Sequence, residues 1–289
     1  MDAKFNYAEA FARNLGWVTA AEQQQLRQKR IAIAGMGAVG SAHLITLVRL
    51  GIEKFHIADM DTYGLVNFNR QIGANMATID QPKVEVMAAM ARSINPNVEL
   101  KIFPAGVSKE NLSEFLAGVD LYVDGLDFFA FSARQATFAA CAAKGIPATT
   151  VAPLGMGAAL FNFLPGGMTF EEYFLWGDNT DEEKALRFLV GLAPAGLHGA
   201  YLVDPSSINF AERRGPSTMM ACQLCAGVAG SEALKILLGR GNVIAAPRGV
   251  HFDAYRNKLV HTWRPGGNNN LLQRIALSIT RKRFMKPSA

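Results

Sequence analysis

The chain has 289 residues, of which 50% are hydrophobic and 18% are charged. A chain of this length and composition can bury a full hydrophobic core, which excludes intrinsic disorder, collagen and disulfide-stabilised miniproteins. The formal net charge is +5, from 29 Lys and Arg against 24 Asp and Glu. So small a surplus is compatible with a phosphate-bearing ligand or an acidic partner and does not require nucleic acid.

The cysteine content and the N-terminal residues indicate the compartment. The three cysteines, Cys141, Cys222 and Cys225, are an odd and sparse set, unlike the framework of a secreted disulfide-rich protein. The first residues contain no apolar stretch of the signal-peptide type. Prolines and glycines interrupt residues 145–170 and 188–203, two stretches without Asp, Glu, Lys or Arg, so we expect no transmembrane segment. We therefore expect a cytoplasmic protein.

Predicted strands and helices alternate through the first half of the chain. After a polar helical lead-in, residues 30–35 form a short apolar run of the kind found in buried parallel strands. A glycine-rich turn, a helix over 41–50 and a second strand over 54–59 complete a βαβ unit. The alternation continues to residue 153. The sequence therefore predicts an α/β fold with a Rossmann-like, doubly wound sheet.

The pattern changes after residue 155. Residues 157–165 predict an added strand, and two more short strands follow at 249–255 and 258–263, so we expect a mostly parallel sheet with added antiparallel strands. Residues 166–216 form a long crossover with little periodicity and a charged turn over 177–184. A connection that long is usually functional or an insertion.

The C-terminal segment has its own character. We expect one domain over residues 1–265, with the crossover as an insertion, and a linker with a basic helix over 266–289. One face of that helix carries the apolar residues Leu271, Leu272, Ile275 and Ile279, and its end carries the basic residues Arg281, Lys282, Arg283 and Lys286. Such a helix could attract nucleic acid, an acidic protein or an anionic membrane, although a solvated helix end is the preferred interpretation.

The glycine-rich turn is the first candidate for chemistry. Gly35, Gly37 and Gly40 have the G-x-G-x-x-G spacing, directly after a strand and at the start of a helix. This arrangement lets backbone N–H groups and a helix N-terminus approach a phosphate. Asp59 ends the second strand, where a carboxylate can accept hydrogen bonds from ribose hydroxyls. These residues predict a dinucleotide or ATP site.

A dense polar block follows the second strand. Its members are Asp59, Asp61, Asn67, Asn69, Arg70, Gln71 and Lys83. Arg70 and Lys83 are suited to a triphosphate, since Arg offers a two-pronged donor and Lys a point charge. Two further carboxylates, Asp124 and Asp127, close the fourth strand, where a carboxylate could hold a phosphate-bridging Mg²⁺.

Over residues 8–260 the sequence resembles the ThiF/MoeB/HesA adenylyltransferases, bacterial relatives of the ubiquitin-activating enzymes. The matching segments are FARNLGWVTAAEQQQLRQKRIAIAGMGAVGS, DMDTYGLVNFNRQ, QPK, VDGLD and ACQLCAGVAGSEALKILLG. The resemblance implies a reaction in which ATP and Mg²⁺ activate a carboxylate as an acyl-adenylate. That carboxylate would be the C-terminus of a ubiquitin-like protein or peptide, or a small-molecule or tRNA-linked carboxylate.

The resemblance also implies roles for individual residues. ATP would be held by Gly35, Gly37, Gly40 and Asp59, together with Asp61 of the polar block, and its phosphates by Asn67, Arg70 and Lys83. Asp127 would coordinate Mg²⁺. Arg13 would reach the nucleotide of a neighbouring subunit, which implies a homodimer.

The sequence departs from the family pattern at its cysteines. The crossover contains no cysteine that could carry an acyl thioester, so a relay through that loop is not expected. Cys222 and Cys225 form one C-x-x-C pair without a second, and because a closed zinc site needs four ligands we expect no zinc. The preferred interpretation of this pair is packing on a helix.

Other interpretations stay open from the sequence. A nicotinamide-dependent oxidoreductase would use the same glycine turn but has no need of Arg70 and Lys83. A non-catalytic scaffold of the same fold has no need of all four residues Asp59, Arg70, Lys83 and Asp127. Arg134 either matches a family arginine or forms a salt bridge on its helix. Trp176 either lines the entrance for the acyl acceptor or belongs to the core or a dimer contact.

Overall fold

The structure is a computed structural model that describes residues 4–209 and 212–284, with only the backbone at 283 and 284. Of the basic residues expected at the C-terminus, Lys286 and the side chain of Arg283 lie outside this described part.

Eight strands form a single sheet. They are β1 Arg30–Ala34, β2 Lys54–Ala58, β3 Glu99–Phe103, β4 Leu121–Asp124, β5 Ala148–Leu154, β6 Gly157–Phe163, β7 Arg248–Asp253 and β8 Lys258–Trp263. Their order is β3-β2-β1-β4-β5-β6-β7-β8. Strands β1 to β5 pair in parallel, whereas β6, β7 and β8 are antiparallel additions. The predicted α/β fold is confirmed.

Ten α-helices accompany the sheet within the described ranges. They are α1 Tyr7–Ala10, α2 Ala20–Gln28, α3 Ala38–Arg49, α4 Lys83–Ile94, α5 Leu112–Phe115, α6 Phe131–Lys144, α7 Phe170–Phe174, α8 Asp181–Leu192, α9 Met219–Leu238 and α10 Leu271–Phe284. Short 3-10 helices cover Ala12–Asn14, Leu65–Asn67, Leu197–Tyr201, Pro205–Ser207 and Gly267–Asn269.

The first strand is buried on both faces, as its apolar run predicted. Ile31 and Ile33 pack in the core beneath α3, α4 and α9, whereas Ala32 and Ala34 pack in the core beneath α6, α7 and α8. Hydrophobic side chains are therefore required at consecutive positions of this strand, which is typical of a parallel sheet covered by helices on both sides.

The crossover contains more regular structure than the sequence indicated. The prediction of a charged turn over 177–184 is wrong for its second half, because α8 begins at Asp181. Thr180 caps this helix by accepting a hydrogen bond from Glu183 N. Acidic residues in the first turn of a helix suit its positive end. Trp176, considered for a substrate entrance, has no exposed surface and lies in the aromatic core.

Helix α9 is the element that the two C-x-x-C cysteines occupy. Cys222 and Cys225 are fully buried there, which confirms the packing interpretation. Among the described residues α9 is also the one helix whose length and apolar composition would allow it to cross a bilayer. In this fold it packs against α3, β5 and β6, as a core helix does.

The last helix turns its predicted apolar stripe away from the protein. Gln273 and Leu277 are buried on the inner side of α10, which packs on α8, and Arg281 forms an ion pair with Glu183. The residues of the outer stripe are 49–68% exposed: Leu271, Leu272, Ile275 and Ile279. The helix therefore packs on the protein through the side that carries Gln273, Leu277 and Arg281, and not through its apolar stripe.

Candidate functional site

The candidate residues converge at one edge of the sheet. The glycine turn follows β1, Asp59 follows β2, and a loop over residues 125–130 follows β4. Strand β1 lies between β2 and β4, so their carboxyl ends flank the point where the strand order reverses. In sheets of this kind, ligands bind in the crevice at that point.

The three glycines of the turn have different roles. A Cβ at Gly35 would overlap the carbonyl of Gly125, and a Cβ at Gly40 would overlap the carbonyl of Gly35. Gly35 also has a φ of +88°, which favours glycine. These two glycines therefore let the turn pack closely against the neighbouring loop after β4.

Gly37 differs because a side chain there would overlap no neighbouring atom and would make only an ordinary van der Waals contact. The nearest heavy atom to a Cβ built there is Gln71 Nε2, at 3.8 Å. Gly37 is the N-cap of α3 and has no side chain to bind the free N–H groups of the first helical turn. Those N–H groups are the kind of site that binds a phosphate.

Asp59 connects the end of β2 to the glycine turn. Its carboxylate accepts a hydrogen bond from Met36 N at 2.6 Å and another from Asp61 N at 2.8 Å. Burial raises the pKa of the Asp59 carboxyl above its usual range, while these two backbone donors lower it. Each oxygen has a further lone pair, so the carboxylate can also accept from a ribose hydroxyl.

Lys83 is a buried cation with a partner from the polar block. It is the first residue of α4, its side chain is 8% exposed, and its Nζ lies 3.0 Å from Asp61 Oδ2. Lys83 N also donates to Asp61 O. The structure therefore brings Asp61 to the site as the counter-ion of Lys83.

Asn67 and Arg70 lie on the turn that follows. Asn67 is buried, and its side-chain oxygen accepts a hydrogen bond from Gly64 N at 3.0 Å. The half-buried Arg70 donates through Nη1 to Val66 O and to Asn69 Oδ1. Both side chains are therefore partly engaged in shaping the turn that presents them.

The same turn is joined to α9 and to the glycine turn. Asn69 Nδ2 donates to Ser217 O at 3.0 Å, just before α9. Gln71 is buried close to Gly37, and its Oε1 accepts no hydrogen bond within the part of the chain that the structure describes. Gln71 is thus a polar group with spare hydrogen-bonding capacity beside the proposed phosphate position.

The two aspartates after β4 have opposite environments. Asp127 is exposed, and one of its oxygens accepts a hydrogen bond from Phe129 N at 3.0 Å. Asp124 is 3% exposed and accepts from Arg134 Nε at 2.8 Å and Thr150 Oγ1 at 3.0 Å. The oxygens of Asp124 therefore serve a buried ion pair. Coordination of magnesium by Asp127, which the family resemblance implies, stays a prediction.

The donor set has consequences for metals. Within residues 4–209 and 212–284, no group of three or more His, Cys, Asp or Glu side chains could hold a metal ion. Mg²⁺ at a nucleotide needs only one or two carboxylates, because phosphates and water complete its shell, so Asp127 fits such an ion. Burial raises the pKa of Cys222 and Cys225, which disfavours the thiolates that zinc requires. That the chain binds no zinc stays a prediction.

Arg13 stands apart from this group in the single chain. It is exposed and lies in the 3-10 helix Ala12–Asn14. None of the hydrogen bonds or ion pairs of the described residues joins it to Asp59, Lys83 or Asp127. Its role across a dimer stays a prediction.

The architecture and the site chemistry agree with one protein family. The model of the ThiF family matches residues 11–273. This chain belongs to the ThiF family. It is 30% identical over 165 residues to a sulfur carrier protein ThiS adenylyltransferase of Escherichia coli K12. The aligned residues cover 57% of this chain and 65% of that protein. It is also 36% identical over 123 residues to a tRNA threonylcarbamoyladenosine dehydratase of Haemophilus influenzae, covering 42% of this chain and 47% of the relative.

The ThiF-family chain also has structural neighbours. Its fold matches E. coli MccB crystallised with AMPCPP and MccA, with a TM-score of 0.68 and 15% identity over 91% of this chain and 73% of that one. In sequence, the chain spans about half to two thirds of the length of the two curated relatives.

The sequence alone did not indicate two features of the site. The ion pair of Asp61 with Lys83 follows from the backbone pairing of residues 61 and 83, which the sequence spacing does not reveal. The ion pair of Asp124 with Arg134 could have been predicted from the sequence. One charged residue lies in an apolar strand and the other in an apolar helix, and a buried charge needs a partner of opposite sign.

Proposed function

We propose that this chain is an ATP- and Mg²⁺-dependent adenylyltransferase, which joins a carboxylate to the α-phosphate of ATP and releases pyrophosphate. One observation carries the proposal. The uncapped N-terminus of α3 lies at the same sheet edge as two cations, Arg70 and Lys83, and an exposed carboxylate, Asp127. Together these groups suit a polyphosphate with its metal.

The chemistry needs charge neutralisation more than proton transfer. A carboxylate oxygen attacks the α-phosphorus, the bond from that phosphorus to the bridging oxygen breaks, and pyrophosphate leaves with the electron pair. The nucleophile is already ionised at neutral pH, so no general base is required. Arg70, Lys83 and the N–H groups at Gly37 would neutralise and orient the phosphates.

Magnesium would be held by Asp127. The ion supplies positive charge to the phosphate oxygens when bound. Asp59 would bind the ribose hydroxyls, which fixes the nucleoside relative to the glycine turn. Asn67 would support the phosphate contacts from the turn that carries Arg70.

The names of the relatives support a substrate class. One relative is named for the carrier protein ThiS, another is named a tRNA threonylcarbamoyladenosine dehydratase, and MccB was crystallised with MccA. We propose a carboxylate of that range for this chain: the C-terminus of a ubiquitin-like protein or peptide, or a small-molecule or tRNA-linked carboxylate. The acyl group would be passed on without a cysteine of the crossover.

The proposal extends to the assembly and its location. A homodimer would bring Arg13 of one protomer to the nucleotide of the other. Residues 1–265 would form the adenylation domain, and 266–289 the linker and basic C-terminal helix. The free, buried cysteines support a reducing compartment such as the cytoplasm.

The alternatives are less well supported. A nicotinamide-dependent oxidoreductase has no use for a buried lysine and an arginine beside the glycine turn. A non-catalytic scaffold would have no need of an exposed Asp127 at the same edge.

Thermal-shift titration with ATP and Mg²⁺, AMP, NAD⁺ and NADPH tests the proposal. A ligand that binds only the native state raises the melting temperature. We expect ATP with Mg²⁺ to stabilise the wild type and Lys29→Ala, but not Lys83→Ala. Lys29 is the matched control, because it forms a half-buried ion pair with Asp120 at the opposite edge of the sheet. Stabilisation by a nicotinamide, or by none of the four ligands, would overturn the proposal.

A further inference from the structure

A buried arginine lies directly beneath the loop that carries Asp127. Arg134 is in the first turns of α6, and its side chain is 2% exposed. No other arginine or lysine among the described residues is as deeply buried. A charge in that position needs a specific arrangement of partners, since burying an ion without them is costly.

The guanidinium binds three consecutive carbonyl groups of the loop. Arg134 Nη2 donates to Leu126 O at 2.7 Å and to Asp127 O at 3.0 Å, and Nη1 donates to Phe128 O at 3.2 Å. A rigid, planar donor that contacts three successive peptide groups fixes the path of the backbone between them. The middle one of the three is the backbone of Asp127 itself.

The guanidinium is in turn held from two sides. Its Nε donates to Asp124 Oδ2, and the same carboxylate accepts from Thr150 Oγ1 and Leu126 N. The ring of Phe188, from the crossover helix α8, lies 4.7 Å from the guanidinium carbon. The position of the arginine is therefore determined by the sheet below it and the crossover above it.

We propose that Arg134 is a positioning residue, which sets the place of the Asp127 carboxylate and thereby the affinity of the nucleotide site for its divalent cation. This inference rests on the proposed function, since it requires Asp127 to bind the cation of ATP. Arg134 itself makes no contact with the metal. It acts through the backbone of Asp127, as residues that orient metal ligands do.

Arginine suits this task and lysine does not. A lysine at 134 would keep the positive charge opposite Asp124, but its single ammonium group cannot reach three carbonyls spread along the loop. Arg134→Lys therefore retains the buried charge pair and removes the fixation of the loop. The two effects of the arginine can be separated in this way.

The test measures cation binding directly. Mn²⁺ is titrated into the full chain with a non-hydrolysable ATP analogue, and the free ion is followed by electron paramagnetic resonance. We expect Arg134→Lys to raise the Mn²⁺ dissociation constant about 10- to 100-fold. Binding of AMP in EDTA should remain within about twofold of wild type, because Arg134 does not contact the nucleotide.

Arg27→Lys is the matched control. Arg27 forms a 2.6 Å ion pair with Glu53 at the opposite edge of the sheet, so its replacement should leave Mn²⁺ binding unchanged. A double-mutant cycle supplies the decisive comparison. In an Asp127→Asn background, Arg134→Lys should cause no further loss of Mn²⁺ affinity, because its effect passes through Asp127.

The outcomes are distinguishable. An unchanged Mn²⁺ affinity in Arg134→Lys, or an equal loss in the Asp127→Asn background, overturns the inference and leaves the proposed function standing. Failure of the wild type to bind the ATP analogue overturns the proposed function instead. If Arg134→Lys does not fold, Thr150→Val removes one hydrogen bond from Asp124 at nearly constant volume and should weaken Mn²⁺ binding in the same direction. An unchanged affinity in Thr150→Val then overturns the inference.

Discussion

The ammonium group of Lys83 lies 3.0 Å from the carboxylate of Asp61, and the two side chains differ sharply in exposure, at 8% and 66%. The lysine is thus held in place by an acid that water reaches easily. An incoming phosphate would compete with Asp61 for the lysine. In the proposed site, the pair would therefore set how readily Lys83 becomes available to a nucleotide.

Asp61→Asn tests this competition. We expect the dissociation constant for ATP to fall about two- to fivefold, because the variant removes both the counter-ion and its repulsion of phosphate, and partly exposed pairs contribute no more than about 1 kcal/mol. Isothermal titration with ATP and Mg²⁺ measures it. Asp120→Asn, at the ion pair with Lys29, is the control and should bind ATP like wild type. Weaker binding by Asp61→Asn would mean that Asp61 contacts the nucleotide directly.

The three glycines of the turn should respond differently to alanine. Gly35→Ala and Gly40→Ala place a methyl group against backbone carbonyls, so each should lower the free energy of unfolding by about 1–3 kcal/mol. Gly37→Ala should cost less than about 1 kcal/mol, since its Cβ would make only an ordinary van der Waals contact with Gln71, but it should weaken ATP binding. Urea unfolding and the ATP thermal shift measure the two effects. Equal destabilisation by all three variants would contradict the assignment.

His43 should make the protein sensitive to acid. It is fully buried on α3, and burial lowers the pKa of its imidazole from 6.5 to about 4, although the charge of Asp124 acts in the opposite direction. Because the folded pKa is below the unfolded one, the stabilisation is complete above pH 6.5 and is lost as the pH falls towards 4. Each proton taken up only by the unfolded chain costs about 1.4 kcal/mol per pH unit.

Urea unfolding across that pH range measures the loss. We expect the free energy of unfolding of His43→Gln to change less steeply with pH than that of wild type, because unfolding of the variant takes up about one proton fewer. His251 will retain a similar contribution, because burial also lowers its pKa to about 4. The exposed His261 is the control, and His261→Gln should follow the wild-type curve. A curve for His43→Gln that coincides with wild type would show that His43 is not the group responsible.

Complementation tests the shared site. Arg13→Ala and Lys83→Ala should each lack magnesium-dependent pyrophosphate release from ATP. When the two variants are mixed in equal amounts and exchange subunits, about a quarter of all sites should become complete, because half of the dimers are mixed and each of these has one complete site out of two. Activity should therefore recover to about a quarter of the wild-type value. The Asp127→Ala and Lys83→Ala mixture is the control, since both changes fall on residues of the same protomer's site. In that control one site of a mixed dimer lacks Lys83 and the other lacks Asp127. Absence of recovery with Arg13→Ala would remove the arginine from the neighbouring site.

The sequence predicted the parts of the molecule that depend on local pattern. The apolar run before the glycines, the alternation of strands and helices, and the acid that ends β2 all depend on short spacings. The family resemblance then located Lys83 and Asp127. The structure agrees with these elements because parallel strands buried on both faces leave little freedom for other arrangements.

The sequence could not predict features that depend on distant pairing. Helix α8 was missed because its acidic first turn resembles a loop. Its apolar residues indicate a buried helix face only once α7 and α10 are known to pack against it. The sequence alone could not give Asp124 and Asp127 different roles, because both carboxylates close the same strand. Only the position of Arg134 in the fold separates a buried ion-pair partner from an exposed carboxylate.

The close packing of the glycine turn sets unequal limits on how this sequence can diverge. At positions 35 and 40 any side chain would overlap backbone atoms of the turn or of the neighbouring loop, so the fold itself disfavours substitution there. At position 37 the proposed ligand, and not the packing of the fold, would limit substitution. A descendant that no longer bound nucleotide would therefore keep glycine at 35 and 40 and would first be substituted at 37. The residue at this position would then indicate the change of function.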